Sequence, residues 1–291
     1  MYRQNIQFPA KDAPLREDVH ALGGLVGEIL LEQCGVERFG LVEGDRVAAI
    51  RRREGDPAGE RELLDRTGGR APAEARDLVR AFSTWFQVVN LAEKVHRIRR
   101  RREYLANSRQ PQPGGLEDAL ARLQRDGCSF DDAMRVLARL CVYPVFAAHP
   151  TESTRRTILR KQQRIAGLLQ ERLDSSMTPQ ERRATWEQIR TELTSGWQTE
   201  DHPRERLTVA DEREHVLFYL VEVLYRVIPA FYEELAAAIG RVYSVTIAPR
   251  DLPRVIRFGS WVGGDMDGHP DVHAKTIRET LQRHQSVVVT A

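Results

Sequence analysis

The stretch Tyr143–Lys161 reads YPVFAAHPTESTRRTILRK, and the fold is decided by how these residues are read. Tyr143 to Ala148 is a short apolar run with β-branched and aromatic members, which suits a buried strand. His149 and Pro150 follow, and proline is tolerated in the first turn of a helix and nowhere later. From Thr151 to Leu173 the residues Ile158, Ile165, Leu169 and Leu173 recur at helical spacing. The stretch is therefore predicted as strand, tight polar turn, helix.

That order places His149 at the carboxyl end of the strand, beside a helix N-terminus whose free N–H groups attract anions. Arg155 and Arg156 then fall in the first helical turns, where the macrodipole disfavours a cation by about 0.3–1 kcal/mol. Two arginines set against the dipole fit a bound phosphate-like anion, although a pair between Arg155 and Glu152 accounts for one of them. A lone histidine after a strand is more often a hydrogen-bonded structural residue than a catalyst. The coincidence of histidine, helix start and paired arginines brings the two readings level.

A second copy of the device lies near the end of the chain. Arg254–Val262, RVIRFGSWV, is strand-like, with Gly259 relieving a close approach. It enters GGDMDGHP, residues 263–270, and a helix is predicted from Asp271 to Val289. Backbone N–H groups freed by Gly263, Gly264 and Gly268 suit an oxyanion or phosphate. Asp265 and Asp267 suit a divalent cation, but the remaining ligands of an EF-hand loop are missing. The plain alternative is a tight turn whose aspartates cap the next helix.

Two such units, separated by helical insertions, predict a predominantly α-helical fold with a few short parallel strands. This corresponds to the N-terminal part of an α-rich (β/α)8-type barrel, whose chemistry collects at the carboxyl ends of the strands. The 291 residues are expected to form a single incomplete domain, with 1–142 a helical scaffold and 143–291 the first two βα units. In the scaffold, Val19, Leu22, Val26, Ile29 and Leu30 mark a helix that Gly35 stops, and a second is expected from Val36 to Arg53. Pro72 opens a long helix towards Ala106 with a predicted face of Leu78, Phe82, Phe86, Val89, Leu91 and Val95. Ser129 is predicted to cap a helix to Leu140, and Pro179 to open another. Thr208 to Gly240 is read as long helical structure kinked or broken at Pro229.

Composition narrows the partners. The 44 Lys+Arg against 42 Asp+Glu give no general case for nucleic acid or membrane. The basic run Arg97 and Arg99–Arg102 reads as a solvated helix end before it reads as a nucleic-acid surface, because no aromatic residues interleave it. Cys34, Cys128 and Cys141 lack metal-ligand spacing, which favours a reduced, cytoplasmic setting. No apolar span near eighteen residues is expected.

Together, FAAHPTESTRRTIL and GSWVGGDMDGHPDV resemble two signatures of the phosphoenolpyruvate carboxylase family. Trp197-Gln198-Thr199 and the AEKVHRIRRRREYL segment resemble further parts of it, in the same order. The resemblance implies carboxylation of phosphoenolpyruvate by bicarbonate to oxaloacetate and phosphate, with Mg²⁺ or Mn²⁺, in an enzyme that is a homotetramer at full length. It implies that His149 is the catalytic histidine and that Arg155 and Arg156 bind anions, phosphorylated effectors included. It also puts Trp261 near bicarbonate. Met266 stands where the family usually has arginine, and His269 where it has asparagine.

The family's chains are much longer, so this chain is expected to be the N-terminal portion of such an enzyme, inactive alone. Its metal ligands are expected elsewhere, and no metal residue is assigned here. The alternative is a stand-alone anion-binding or regulatory module, or one half of a split enzyme.

Overall fold

The computed structural model describes residues 9–106, 111–147, 155–200, 207–266 and 270–290. It is mostly helical. In chain order the elements are α1 (Ala13–Arg53), α2 (Pro57–Thr67), α3 (Pro72–Ala106), α4 (Leu116–Arg125), α5 (Phe130–Arg139), β1 (Val145–Phe146), α6 (Arg156–Glu171), α7 (Pro179–Trp197), α8 (Val209–Phe218), α9 (Tyr225–Tyr243), β2 (Gly259–Ser260) and α10 (Ala274–Thr290). They fall into two compact units, Met1–Arg102 with Arg155–Asp201, and Glu103–Thr154 with His202–Ala291.

The core of the first unit joins α1, α3, α6 and α7. Leu22, Val26, Ile29 and Leu30 pack with Ala81, Val88, Leu91 and Val95, and with Ile165, Leu169, Ile189 and Trp197. Each large apolar side chain removed from water contributes about 1.5–3 kcal/mol before entropy is counted. Gly35 breaks α1 with φ 82°, so two helices run on from one another where a stop was predicted. Gly23 permits close packing, since a Cβ there would lie 3.2 Å from the Trp85 indole nitrogen.

The predicted face of α3 is corrected at Phe86, which is 58% exposed, while Ala81, Val88, Ala92 and Val95 are buried. That helix is apolar on overlapping stripes, and its partners rather than its period choose between them. The basic end of α3 is partly committed inward: Arg99 donates to Asp18 at 2.8 Å and to His96 Nδ1 at 3.1 Å.

A buried ion cluster ties α1 to the segment around α2. Asp45 accepts from Arg70 at 2.5 and 3.0 Å and from Arg66 at 2.9 Å. Burial pushes the Asp45 carboxyl up, but hydrogen bonds and charge from Arg70 and Arg66 outweigh this and hold it below its ordinary value. Nearby, a Cβ on Gly59 would sit 2.7 Å from both Arg51 Cβ and the Arg52 nitrogen. Gly59→Ala is therefore expected to force α2 off α1 and cost about 1–3 kcal/mol; a melting temperature unchanged from the parent would show that this packing can yield.

The second unit packs Leu120 and Leu137 against Leu235, Ala236, Ile239, Leu252 and Val255. Ser129 caps α5 through a reciprocal box with Asp132, as predicted. Across Pro229 the helix does not break. A π-helical segment, Tyr219–Leu224, precedes α9 instead, a wider turn of the kind that accommodates irregularity inside a helix.

The resulting stretch Val209–Tyr243 is long and apolar enough to cross a membrane by length and composition, its most apolar eighteen residues having mean hydropathy 1.3. This corrects the expectation of no such span. Glu222 and Arg226 interrupt the apolar run in sequence, but they form an ion pair at 2.5 Å on one helix face. One helix of this kind does not indicate a membrane protein.

The two strands pair in parallel, with Val145 opposite Gly259 and Phe146 opposite Ser260. A further bridge joins Val142 to Ile256. The evenly slanted bonds of a parallel ladder follow: Arg257 N–H to Val142, Gly259 N–H to Pro144 and Trp261 N–H to Phe146, at 3.0, 3.0 and 2.7 Å. Gly259 relieves a close approach as expected, because a Cβ there would lie 2.9 Å from the Tyr143 hydroxyl oxygen. The expectation of a buried strand is corrected, since Tyr143 is 58% and Val145 54% exposed. Among the described residues β1 pairs only with β2, so the strand run lacks a second neighbour to cover it.

Candidate functional site

Of the predicted site residues, Trp261, Gly263, Gly264 and Asp265 follow the carboxyl end of β2. Phe146 packs into a small apolar cluster with Val209, Val216, Val262, Val272 and Ile277, which seats both strand ends on α8 and α10. Beyond β2 the chain turns sharply: the Gly264 N–H donates to Trp261 O at 2.9 Å and the Met266 N–H to Gly264 O at 3.1 Å. The Val262 N–H donates to Ser260 Oγ at 3.2 Å. Gly263 takes φ 76°, the left-handed conformation that favours glycine.

The turn leaves Trp261 and Met266 more than half exposed, so an aromatic face and a thioether flank the glycines. Trp261, Gly263, Gly264 and Asp265 are thus gathered on one loop, anchored to β1 through the Trp261–Phe146 bond. His149, Asp267 and Gly268 lie outside the described residues.

Arg155 and Arg156 belong to the other compact unit. Arg155 has ψ 139° and caps α6, which begins at Arg156. The prediction of a helix already formed at Arg155 is corrected accordingly. Arg155 faces Glu200 at 3.9 Å, both side chains being partly exposed. A pair so long and solvated contributes about 0–1 kcal/mol, so it leaves the guanidinium able to exchange its partner for a stronger anion.

Two features of this region are not signalled by the sequence. Thr280, in the middle of α10, is 5% exposed and lies directly beneath Gly263. Its hydroxyl oxygen has no hydrogen-bond partner among the described residues. Threonine in an amphipathic helix carries no mark of such a role. The second feature is the anchor of α10 itself: Arg283 donates twice to Glu214 on α8, at 2.8 and 2.9 Å. Beside it, burial and the charge of Arg213 lower the pKa of His284, against an opposing contribution from Glu214.

No group of three or more His, Cys, Asp or Glu side chains converges among the described residues.

Fold and site together define a mostly helical protein in which a short parallel pair carries a glycine turn and an exposed tryptophan. The profile of the phosphoenolpyruvate carboxylase family matches residues 15–291, and the chain belongs to that family. A phosphoenolpyruvate carboxylase of Xanthomonas euvesicatoria pv. vesicatoria (strain 85-10) is 51% identical over 289 residues, covering 99% of this chain and 32% of the relative. One from Ralstonia nicotianae (strain ATCC BAA-1114 / GMI1000) is 41% identical over 285 residues, 97% of this chain and 29% of its own. One from Nitrosomonas europaea (strain ATCC 19718 / CIP 103999 / KCTC 2705 / NBRC 14298) is 38% identical over 280 residues, 96% and 30% respectively. The chain thus spans about a third of the length of the curated relatives it matches.

Proposed function

We propose that this chain is the N-terminal portion of a phosphoenolpyruvate carboxylase and supplies one wall of its active site. The observation that carries the proposal is the parallel β1–β2 pair, which sets the strand ends of the two signature segments side by side. On this proposal β1 and β2 are the first two strands of a parallel barrel. Bicarbonate oxygen attacks the phosphorus of phosphoenolpyruvate, the bond to the enol oxygen breaks, and carboxyphosphate and the enolate of pyruvate form. Carboxyphosphate splits to carbon dioxide and phosphate, and the enolate methylene carbon takes up the carbon dioxide to give oxaloacetate.

His149 is the proposed acid–base group assisting carboxyphosphate breakdown, since an imidazole titrating near neutrality can move a proton beside developing anions. The loop of Gly263, Gly264, Asp265, Asp267 and Gly268 receives the anionic substrate, with Trp261 beside bicarbonate. Arg155 and Arg156 bind a phosphorylated substrate or effector. Met266 supplies no charge where the family usually has arginine, so in this branch the phosphate's cation comes from another residue. Mg²⁺ or Mn²⁺ is the metal proposed for the whole enzyme, with no residue of this chain assigned to it. Assembly as a homotetramer in the cytoplasm completes the proposal.

The test is a hybrid in which these 291 residues replace the matching third of the Xanthomonas relative. Oxaloacetate formation is followed by a coupled assay, beside the chain alone. Carboxylation by the hybrid and none by the chain alone is expected. A folded hybrid that binds phosphoenolpyruvate and forms no oxaloacetate would remove the catalytic reading and leave an anion-binding module.

A further inference from the structure

We propose that Thr280 is the positioning residue of the β2 loop, its hydroxyl pairing with the loop backbone when the loop takes up an anionic ligand. The proposal rests on the loop being the anion-binding edge of the site. A Cβ placed on Gly263 would lie 2.5 Å from Thr280 Oγ1, 3.1 Å from its Cβ and 3.2 Å from its Cγ2. The side chain is thus the floor on which the left-handed turn rests. It is 5% exposed, so water does not readily satisfy the hydroxyl, and no group among the described residues does.

A buried hydroxyl without a partner costs about 1–3 kcal/mol, and such groups in native structures call for a reason. Valine would fill the same space without that cost. The turn's own bonds run between Gly264 and Trp261 and between Met266 and Gly264 and do not use the hydroxyl. A shift of this one turn towards a ligand is enough to offer Thr280 a loop carbonyl or N–H. The rest of α10 is held by Arg283 on Glu214 and by Ile277 in the apolar cluster, which Val272 joins just ahead of the helix. Thr280 therefore acts from a rigid helix on a loop that adapts.

The test compares the hybrid enzyme described above, which carries these 291 residues, with its Thr280→Val and Thr280→Ser variants. Phosphoenolpyruvate binding in the presence of bicarbonate is measured by calorimetry. Acrylamide quenching of Trp261 is taken as the difference from a Trp261→Phe variant. Thr280→Val is expected to melt at or above the parent temperature, because an unpaired buried hydroxyl has been removed. It should bind phosphoenolpyruvate about 5–10-fold more weakly, the equivalent of one lost hydrogen bond, and lose the ligand's protection of Trp261. Thr280→Ser should restore binding to within about twofold.

A purely structural threonine would give the reverse: a lower melting temperature and unaltered affinity, which overturns the proposal. Equal weakening by valine and serine assigns the effect to the methyl group and also overturns it. If the parent hybrid binds phosphoenolpyruvate and Thr280→Val binds as well, Thr280 falls and the loop stands. If the parent itself shows no binding and no protection of Trp261, the loop falls and Thr280 with it.

Discussion

His149→Asn, introduced into the hybrid enzyme, is expected to lower oxaloacetate formation by about 10²–10⁴-fold, the range over which positioned acid–base groups act. Release of phosphate from phosphoenolpyruvate should persist, because attack of bicarbonate on phosphorus precedes the proposed step of His149. Asparagine keeps much of the size of the imidazole and can hydrogen bond, but cannot take up and return a proton near neutral pH. The sharp reading is therefore the ratio of phosphate to oxaloacetate. A rise from near unity to a large excess of phosphate assigns the residue to carboxyphosphate breakdown. Equal loss of both products would move His149 to the first step or to substrate binding, and unchanged carboxylation would take it out of the mechanism.

The largest stability effect is expected at Asp45. Its carboxylate is buried with Arg70, whose side chain is 6% exposed, and it also holds Arg66. Asp45→Ala leaves the buried Arg70 charge without its partner and is expected to cost about 3–5 kcal/mol. Adding Arg70→Met to Asp45→Ala should recover part of that loss, since the stranded charge is then gone. A double variant no more stable than the single one would show that the cluster contributes by packing rather than by charge.

The pH dependence has a definite sign. The folded-state pKa of Asp45 is lowered, so its stabilisation is fully present above the unfolded value of about 3.9. It is lost as pH falls through the lower folded value. The difference in stability between the parent and Asp45→Ala should therefore be constant near neutrality and shrink in acid below about pH 4. A gap that widens in acid would contradict the assignment.

Much of the helical frame was legible. Proline at the first turn opened α3 and α7 where expected, because its fixed φ suits only that place. The Ser129 cap was readable from one hydroxyl and the acidic residues after it. Gly35 and Gly259 announced a left-handed break and a close approach, both visible as the absence of a side chain. The family was legible too, since two long motifs in order are a local property of the chain.

Other features depended on partners distant in sequence. The face of α3 was misplaced at Phe86 because a helix with overlapping apolar stripes is oriented by what packs on it. The apolar run at Tyr143 looked like a buried strand, yet burial requires neighbours that a run of letters does not specify. Thr280 lies seventeen residues beyond Gly263 and meets it only through the turn after β2.

The sequence by itself determined where several helices start, among them α3, α5 and α7, which segments carry the two signatures, and which residue types could handle an anion. Those are short-range matters of dihedral preference, capping and composition. Only the tertiary structure decided that the signature segments pair in parallel at Val145–Gly259 and Phe146–Ser260. It alone decided that Asp45 is shared by two arginines and that Gly263 rests on a buried hydroxyl with no partner among the described residues. Each of these contacts joins residues far apart in the chain, and packing rather than local preference selects them.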